Sequence, residues 1–159
     1  MAIMTTYNFD LRPVKTLTVG RLDVSGQGTR ATLNATSTPP VSNIAGGTRV
    51  LVASADAIDL TAVEDHSGAE QDFTGLKLQA VWIKADADNE AASTVTFEPG
   101  SSNGYDLFGA SGQITLGPGD ECMFVFQDSL EDVSGTAKAI DVSSSGDATA
   151  AYSITLVAG

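Results

Sequence analysis

The densest set of candidate ligand atoms in the sequence is the acidic stretch Asp86-Ala87-Asp88-Asn89-Glu90. Asp86, Asp88 and Glu90 place carboxylates at alternate positions, as calcium loops do. The stretch lacks the glycine at the sixth position and the distant bidentate glutamate of an EF-hand. Because Asp and Asn also serve tight turns, we expect a solvated hairpin tip here and no metal site.

A histidine-containing catalytic triad would have to use the only histidine, His66, which lies in the run Glu64-Asp65-His66-Ser67. Catalytic triads are assembled in space from separate segments, so neighbours in sequence rarely face one another productively. The string GASGQ, residues 109–113, falls short of the G-x-S-x-G elbow and has no helix pattern after it. We therefore expect loops at both places, and a protein that is not an enzyme.

The chain has one cysteine, so it can form no disulfide within itself. Cys122 begins an apolar strand pattern on the same face as Phe124 and Phe126. This setting is typical of a buried, unreactive thiol, and no general base is nearby in sequence.

Three aromatic side chains could form a platform for sugars: Trp82, Tyr105 and Phe108. Trp82 shares a period-two face with Leu76 and Leu78, which predicts core packing instead. Tyr105 and Phe108 lie in a Gly-rich segment. We expect these two rings either to make an exposed contact or to belong to a flap packed on the edge of the fold.

Short alternating strands must position all of these side chains. Apolar residues at period two recur along the chain, separated by Gly, Pro, Asn and Asp. A turn at Gly117–Asp120, between two of the runs, predicts a hairpin. The runs that predict strands are residues 16–24, 48–54, 57–63, 76–84, 93–99, 112–116, 121–128, 138–142 and 150–159.

No stretch shows a helical apolar stripe over three turns, so the fold class is all-β. About eight or nine short antiparallel strands bury their inner faces by forming two packed sheets or a barrel, and a sandwich of jelly-roll type fits best. We expect this β-sandwich to occupy residues 17–159 as one domain, after a short N-terminal arm at 1–16. Residues 33–48, with Pro39-Pro40, read as a turn-rich connection.

Charge limits the partners. The net charge is −12 and the sequence pI is about 4.1, so the chain should repel nucleic-acid backbones and anionic membrane surfaces. The start of the chain has no basic and apolar pattern of a secretory signal. We expect a protein that is made in a cytosol, with no cofactor and with neither nucleic acid nor membrane as its partner.

The pattern of strands and turns over about residues 74–159 resembles head decoration (cement) proteins of tailed bacteriophages. The resemblance rests on the succession LKLQAVWIKADADN, STVTF, GYDLFGASGQITLGPGDECMFVFQD and GTAKAIDVSSSGDATAAYSITLVAG. It implies a non-catalytic β-sandwich that binds the outer surface of the assembled head and stabilises it. It further implies synthesis in the host cytoplasm, the major capsid protein as partner, and a homotrimer at local three-fold axes.

The N-terminal arm carries apolar groups without strand periodicity. Tyr7, Phe9 and Leu11 are therefore candidates for an inter-subunit or capsid contact, and a frayed terminus is the alternative. Other functions stay open. The chain could be a different virion component, such as a single-jelly-roll capsid, tail or fibre protein, or a carbohydrate-binding module that uses Tyr105 or Phe108.

Overall fold

The computed structural model describes residues 40–109, 111–126 and 129–159, together with the backbone of 17–19 and 22–24. All regular structure in this part of the chain is β. In chain order the strands are β1 Leu17–Val19, β2 Leu22–Val24, β3 Asn43–Val50, β4 Ala55–Asp59, β5 Val63–Glu64, β6 Glu70–Gln71, β7 Leu78–Ala85, β8 Thr94–Pro99, β9 Ile114–Leu116, β10 Glu121–Val125, β11 Ala139–Ser145 and β12 Ala151–Ala158.

Eight of these strands form two antiparallel sheets. Sheet I has the order β10-β7-β12-β3, and sheet II has the order β4-β11-β8-β9. Their inner faces supply one hydrophobic core, in which Phe97 of sheet II meets Tyr152 of sheet I edge to face, with ring centroids 5.3 Å apart. The prediction of an antiparallel β-sandwich is confirmed. β1 with β2, and β5 with β6, form two small separate sheets.

The pairing of the eight strands is nested about one connection, residues 100–113. β8 pairs with β9 on either side of it, β7 pairs with β10 outside those, then β4 with β11, and β3 with β12. Pairing of β12 with β7 completes sheet I, and pairing of β11 with β8 completes sheet II. Chain segments far apart in sequence therefore lie side by side.

Two predicted hairpins are wrong. β9 and β10 flank Gly117–Asp120 but lie in different sheets, and the acidic stretch within residues 86–93 likewise joins β7 of sheet I to β8 of sheet II. Packed sheets are only about 10 Å apart. A connection of this length can therefore either reverse a strand within one sheet or carry the chain across to the other.

The predicted faces of β7 are also wrong in part. Val81 and Ile83 point into the core, whereas Trp82 lies partly buried on the outer face. The pairing with β12 shifts register between Val157 and Ala158, so that one more residue of β7, Gln79, is accommodated. Such a bulge reverses the alternation, and Leu78 therefore reaches the core as well.

β3 starts inside the segment 33–48 that was expected to be a connection. Gly46 has a φ of +120°, and a Cβ on it would overlap the carbonyl oxygen of Ile154 in the paired strand. The pair Gly46-Gly47 therefore permits a close approach of two backbones. The predicted arm at 1–16, with Tyr7, Phe9 and Leu11, lies outside the described residues.

Candidate functional site

Four connections between the sheets meet at one end of the sandwich, which we name the crossing end: residues 51–54, 86–93, 117–120 and 146–150. Backbone hydrogen bonds join them. Ser54 N–H donates to the Ala148 carbonyl at 2.9 Å, and Asp86 N–H donates to the Ala151 carbonyl at 3.0 Å. The crossing end is thus one continuous surface built from short loops.

Carboxylates at the crossing end hold the loops in shape. Asp86 accepts from Asp88 N–H at 2.9 Å, and Asp120 accepts from Gly117 N–H at 3.0 Å. Hydrogen bonding from the Thr149 backbone keeps the pKa of Asp147 below its usual value. The acidic stretch is a turn whose oxygens bind backbone N–H groups.

Asn89 fastens this turn to the neighbouring strand. Its side chain donates to the Ala151 carbonyl at 2.9 Å and accepts from Ala151 N–H at 2.7 Å. Within the described ranges, no group of three or more His, Cys, Asp or Glu residues is placed to hold a metal ion. The four loops carry five carboxylates and neither Lys nor Arg, so they form a strongly negative surface.

A polar cluster ties the two sheets together near the same end. Arg49 of β3 and Asp56 of β4 form a bidentate ion pair, with Nε–Oδ2 at 2.7 Å and Nη2–Oδ1 at 3.2 Å. The buried Tyr152 hydroxyl donates to Asp56 Oδ2 at 2.6 Å. Burial raises the pKa of Asp56, but the hydrogen bonds from Arg49 and Tyr152 outweigh burial and hold that pKa below its usual value.

Of the two alternatives predicted for Tyr105, an exposed contact or a packed flap, the exposed contact is wrong because the ring is fully buried. Its hydroxyl donates to the Glu131 carbonyl at 2.7 Å and accepts from Leu78 N–H at 3.3 Å. Burial raises the pKa of Tyr105 to about 12. Phe108 packs edge to face on Phe124 at 5.2 Å. The segment that carries Tyr105 and Phe108 is therefore a flap packed on the fold, which was the second of the two alternatives.

The run around His66 forms the turn between β5 and β6, with His66 exposed. Asp65 accepts from Ser67 Oγ at 2.6 Å, Ser67 N–H at 2.8 Å and Ala69 N–H at 3.1 Å, and these bonds lower its pKa. The Asp65 side chain thus organises a turn.

Cys122 is partly buried against the core, and burial raises the pKa of its thiol.

The outer faces of the two sheets differ in chemistry. Sheet II presents small or polar side chains, and its Thr96 and Thr115 hydroxyls are hydrogen-bonded at 2.9 Å. Of the three large hydrophobic residues that are exposed within the described ranges, Val50 and Val125 lie on sheet I, and Val52 lies in the connection 51–54. The register adds further apolar side chains to this outer face: Ile44, Ala80, Trp82, Met123 and Val157.

Sequence reasoning missed two of these features. Val50 and Val52 alternate within the predicted strand at 48–54, but alternation alone does not say whether their face is inside or outside. The Arg49–Asp56–Tyr152 cluster joins residues up to 103 positions apart, and no local signal marks it.

The chain matches no protein-family model, and no curated protein is significantly similar to it. In the part of the chain that the structure describes, no helix has the length and apolar character needed to span a membrane.

Proposed function

We propose that this chain is a non-catalytic structural protein of a tailed-phage virion that binds the outside of the assembled head and stabilises it. The observation that carries the proposal is the nested strand pairing, β3 with β12, β4 with β11, β7 with β10 and β8 with β9. This pairing supports assignment of the sandwich as a jelly roll, the double Greek-key fold that viral capsid domains use. The resemblance of residues 74–159 to head decoration proteins points to the same class.

The surface chemistry fits a position outside the head. Residues 40–159 carry four Lys and Arg against eighteen Asp and Glu. A lining inside the head would place this charge against packaged DNA, which repels it. The outer surface of the capsid removes that repulsion, so the proposed location is the outside of the virion.

The construction of the crossing end suits a rigid adaptor. Its loops are short, and their side chains bind neighbouring backbone groups. A decoration protein needs a fixed contact surface, because repeated identical sites on the capsid multiply a modest affinity. The proposed partners are the major capsid protein and further copies of this chain in a trimer. Tyr7, Phe9 and Leu11 remain candidate contact residues.

The test is co-sedimentation of labelled protein with heads assembled without it. Saturable binding, with a stoichiometry set by the lattice and an increase in the head's melting temperature, is the expected result. Failure to co-sediment, or binding to DNA in place of heads, would overturn the proposal. Light scattering of the free protein tests the trimer separately.

A capsid-forming jelly roll is the main competitor, and electron microscopy of the pure protein tells the two apart. A capsid protein assembles into shells by itself, whereas a decoration protein stops at a small oligomer. Shells in the absence of any other component would therefore reassign the chain within the virion.

A further inference from the structure

On the outer face of sheet I, the two central strands β7 and β12 are covered at one end, whereas the crossing end is more open. Ala80 and Val157 pair with each other across β7 and β12, and both point away from the core, yet their exposed fractions are only 1% and 2%. On the same face, Val50 at the crossing end is 57% exposed, and Val125 on the edge strand β10 is 39% exposed. An uncovered sheet face would leave its central strands accessible along their whole length, so the Ala80–Val157 end of this face is covered.

The position of Pro40 indicates which segment of the chain is connected to the covered end of this face. A Cβ on Gly159, just after β12, would overlap the Pro40 carbonyl oxygen and come within 2.8 Å of Gln79 Nε2. Ser42 N–H donates to the Ala158 carbonyl at 2.8 Å. Pro40, the first residue of the continuous described chain, therefore lies beside Gly159, at the covered end of this face.

Charge distribution supports the same segment. Residues 1–39 hold half of the eight Lys and Arg residues but only two of the 20 Asp and Glu residues, a net charge of +2. The remainder of the chain has a net charge of −14. Opposite charges of this size attract one another over roughly a Debye length, about 8–10 Å at physiological salt. The positive residues are Arg12, Lys15, Arg21 and Arg30.

From these observations we infer that, in the free protein, the basic segment 1–39 docks in cis on the outer face of sheet I. Tyr7, Phe9 and Leu11 provide apolar groups that match this face, whose largest side chain is Trp82. The eight residues of β12 extend for roughly 26 Å. The 39 residues of the segment 1–39 are therefore more than enough to span this face from end to end. The inference is independent of the proposed function, because it concerns the protein without any head.

Trp82 is the only tryptophan in the chain and lies on this face, so its fluorescence reports occupancy directly. Two full-length variants test the inference. The first replaces the four positive residues with Gln (R12Q/K15Q/R21Q/R30Q), and the second replaces the apolar ones with Ser (Y7S/F9S/L11S). Each should shift Trp82 emission to longer wavelength and increase its quenching by the neutral quencher acrylamide. Raising the salt concentration should do the same for the wild type.

The matched control moves the reporter to the other sheet. In W82F/T96W the tryptophan lies on the outer face of sheet II, and the same changes should leave its quenching unaltered. Circular dichroism confirms that each variant is folded. Unchanged Trp82 quenching in both folded variants would overturn the inference. Protection of Trp82 that disappears on dilution, together with loss of an oligomer, would overturn cis docking and assign the segment to a neighbouring copy.

Discussion

Arg49 and Asp56 join the two sheets of the sandwich, with Nε of Arg49 2.7 Å from Oδ2 of Asp56. The hydroxyl of Tyr152 completes the cluster by donating to the same oxygen. A residue of β3, one of β4 and one of β12 thereby become a single polar connection next to the core. β3 and β4 are edge strands of different sheets, and the chain crosses between them through only the four residues 51–54. The Arg49–Asp56 pair holds the two strands together beside this crossing.

Removing the carboxylate should be costly. Asp56→Ala leaves a partly buried guanidinium and a buried hydroxyl without their acceptor, so we expect a loss of about 2–4 kcal/mol in the free energy of unfolding. Urea denaturation measures it. Lys138→Ala is the control, since it breaks the more exposed pair with Asp59 (Nζ–Oδ2 2.6 Å) and should cost at most about 1 kcal/mol. Equal losses in the two variants would contradict the importance assigned to the cluster.

Acid should destabilise the fold through the same carboxylate. The pKa of Asp56 is lowered from the model-peptide value of 3.8, so its contribution is fully present above pH 3.8 and is lost as pH falls through the lower folded-state pKa. Unfolding free energy measured from pH 6 down to pH 2 should fall in that window. The fall should be smaller in Asp56→Asn, and an identical pH dependence in that variant would refute the assignment.

Alkali should destabilise the fold through Tyr105. Its pKa is raised from 10.0 to about 12 by burial, so the folded state keeps a proton that the unfolded state loses. Stability is therefore complete below pH 10 and declines as pH rises to about 12. Tyr105→Phe should weaken this decline while also losing the hydroxyl's bonds to Leu78 and Glu131. The chain has three tyrosines, so the difference in phenolate absorbance between the wild type and Tyr105→Phe follows this group, and a difference that appears near pH 10 would contradict its burial.

Two residues of the turn between β3 and β4 adopt backbone angles that their side chains disfavour, and substitution can relieve this strain. Val52 and Ala55 exchange two backbone hydrogen bonds at 3.2 Å, and the central residues Ala53 and Ser54 have φ values of +53° and +66°. Both angles favour Asn and Gly, as in a type I′ turn. A53N/S54G should therefore stabilise the protein by about 1–2 kcal/mol. Ala87→Gly, at a crossing-end position without positive φ, should not stabilise it, and a thermal melt of the two variants makes the comparison.

The two adjacent glycines of β3 should respond in opposite ways to alanine. Gly46→Ala places a methyl group on the carbonyl of Ile154 at a φ of +120°, so we expect a loss above about 3 kcal/mol or a failure to fold. Gly47→Ala meets no atom within 4 Å and should change stability by less than about 1 kcal/mol. Expression yield and urea denaturation compare the pair. A tolerated Gly46→Ala would show that β3 and β12 do not approach this closely.

Local alternation was enough to predict much of the core. Val95 and Phe97, Ile140 and Val142, and Ile154 are the period-two apolar residues of three predicted strands, and all five are buried. In these strands apolar residues occupy one parity and polar residues the other. Only one orientation then removes the apolar side chains from water.

The tertiary structure decided what this rule leaves open. β7 has apolar residues at both parities, so the bulge at Gln79 was needed to send Val81 inward and Trp82 outward. The connections at 86–93 and 117–120 cross between sheets because β7 finds its partners in β10 and β12, and β8 finds its partners in β9 and β11. The buried Tyr105 hydroxyl is hydrogen-bonded to the backbone of Leu78 and of Glu131, which are more than 25 residues away in sequence. Each of these outcomes depends on pairing between distant segments, which residues adjacent in sequence do not encode.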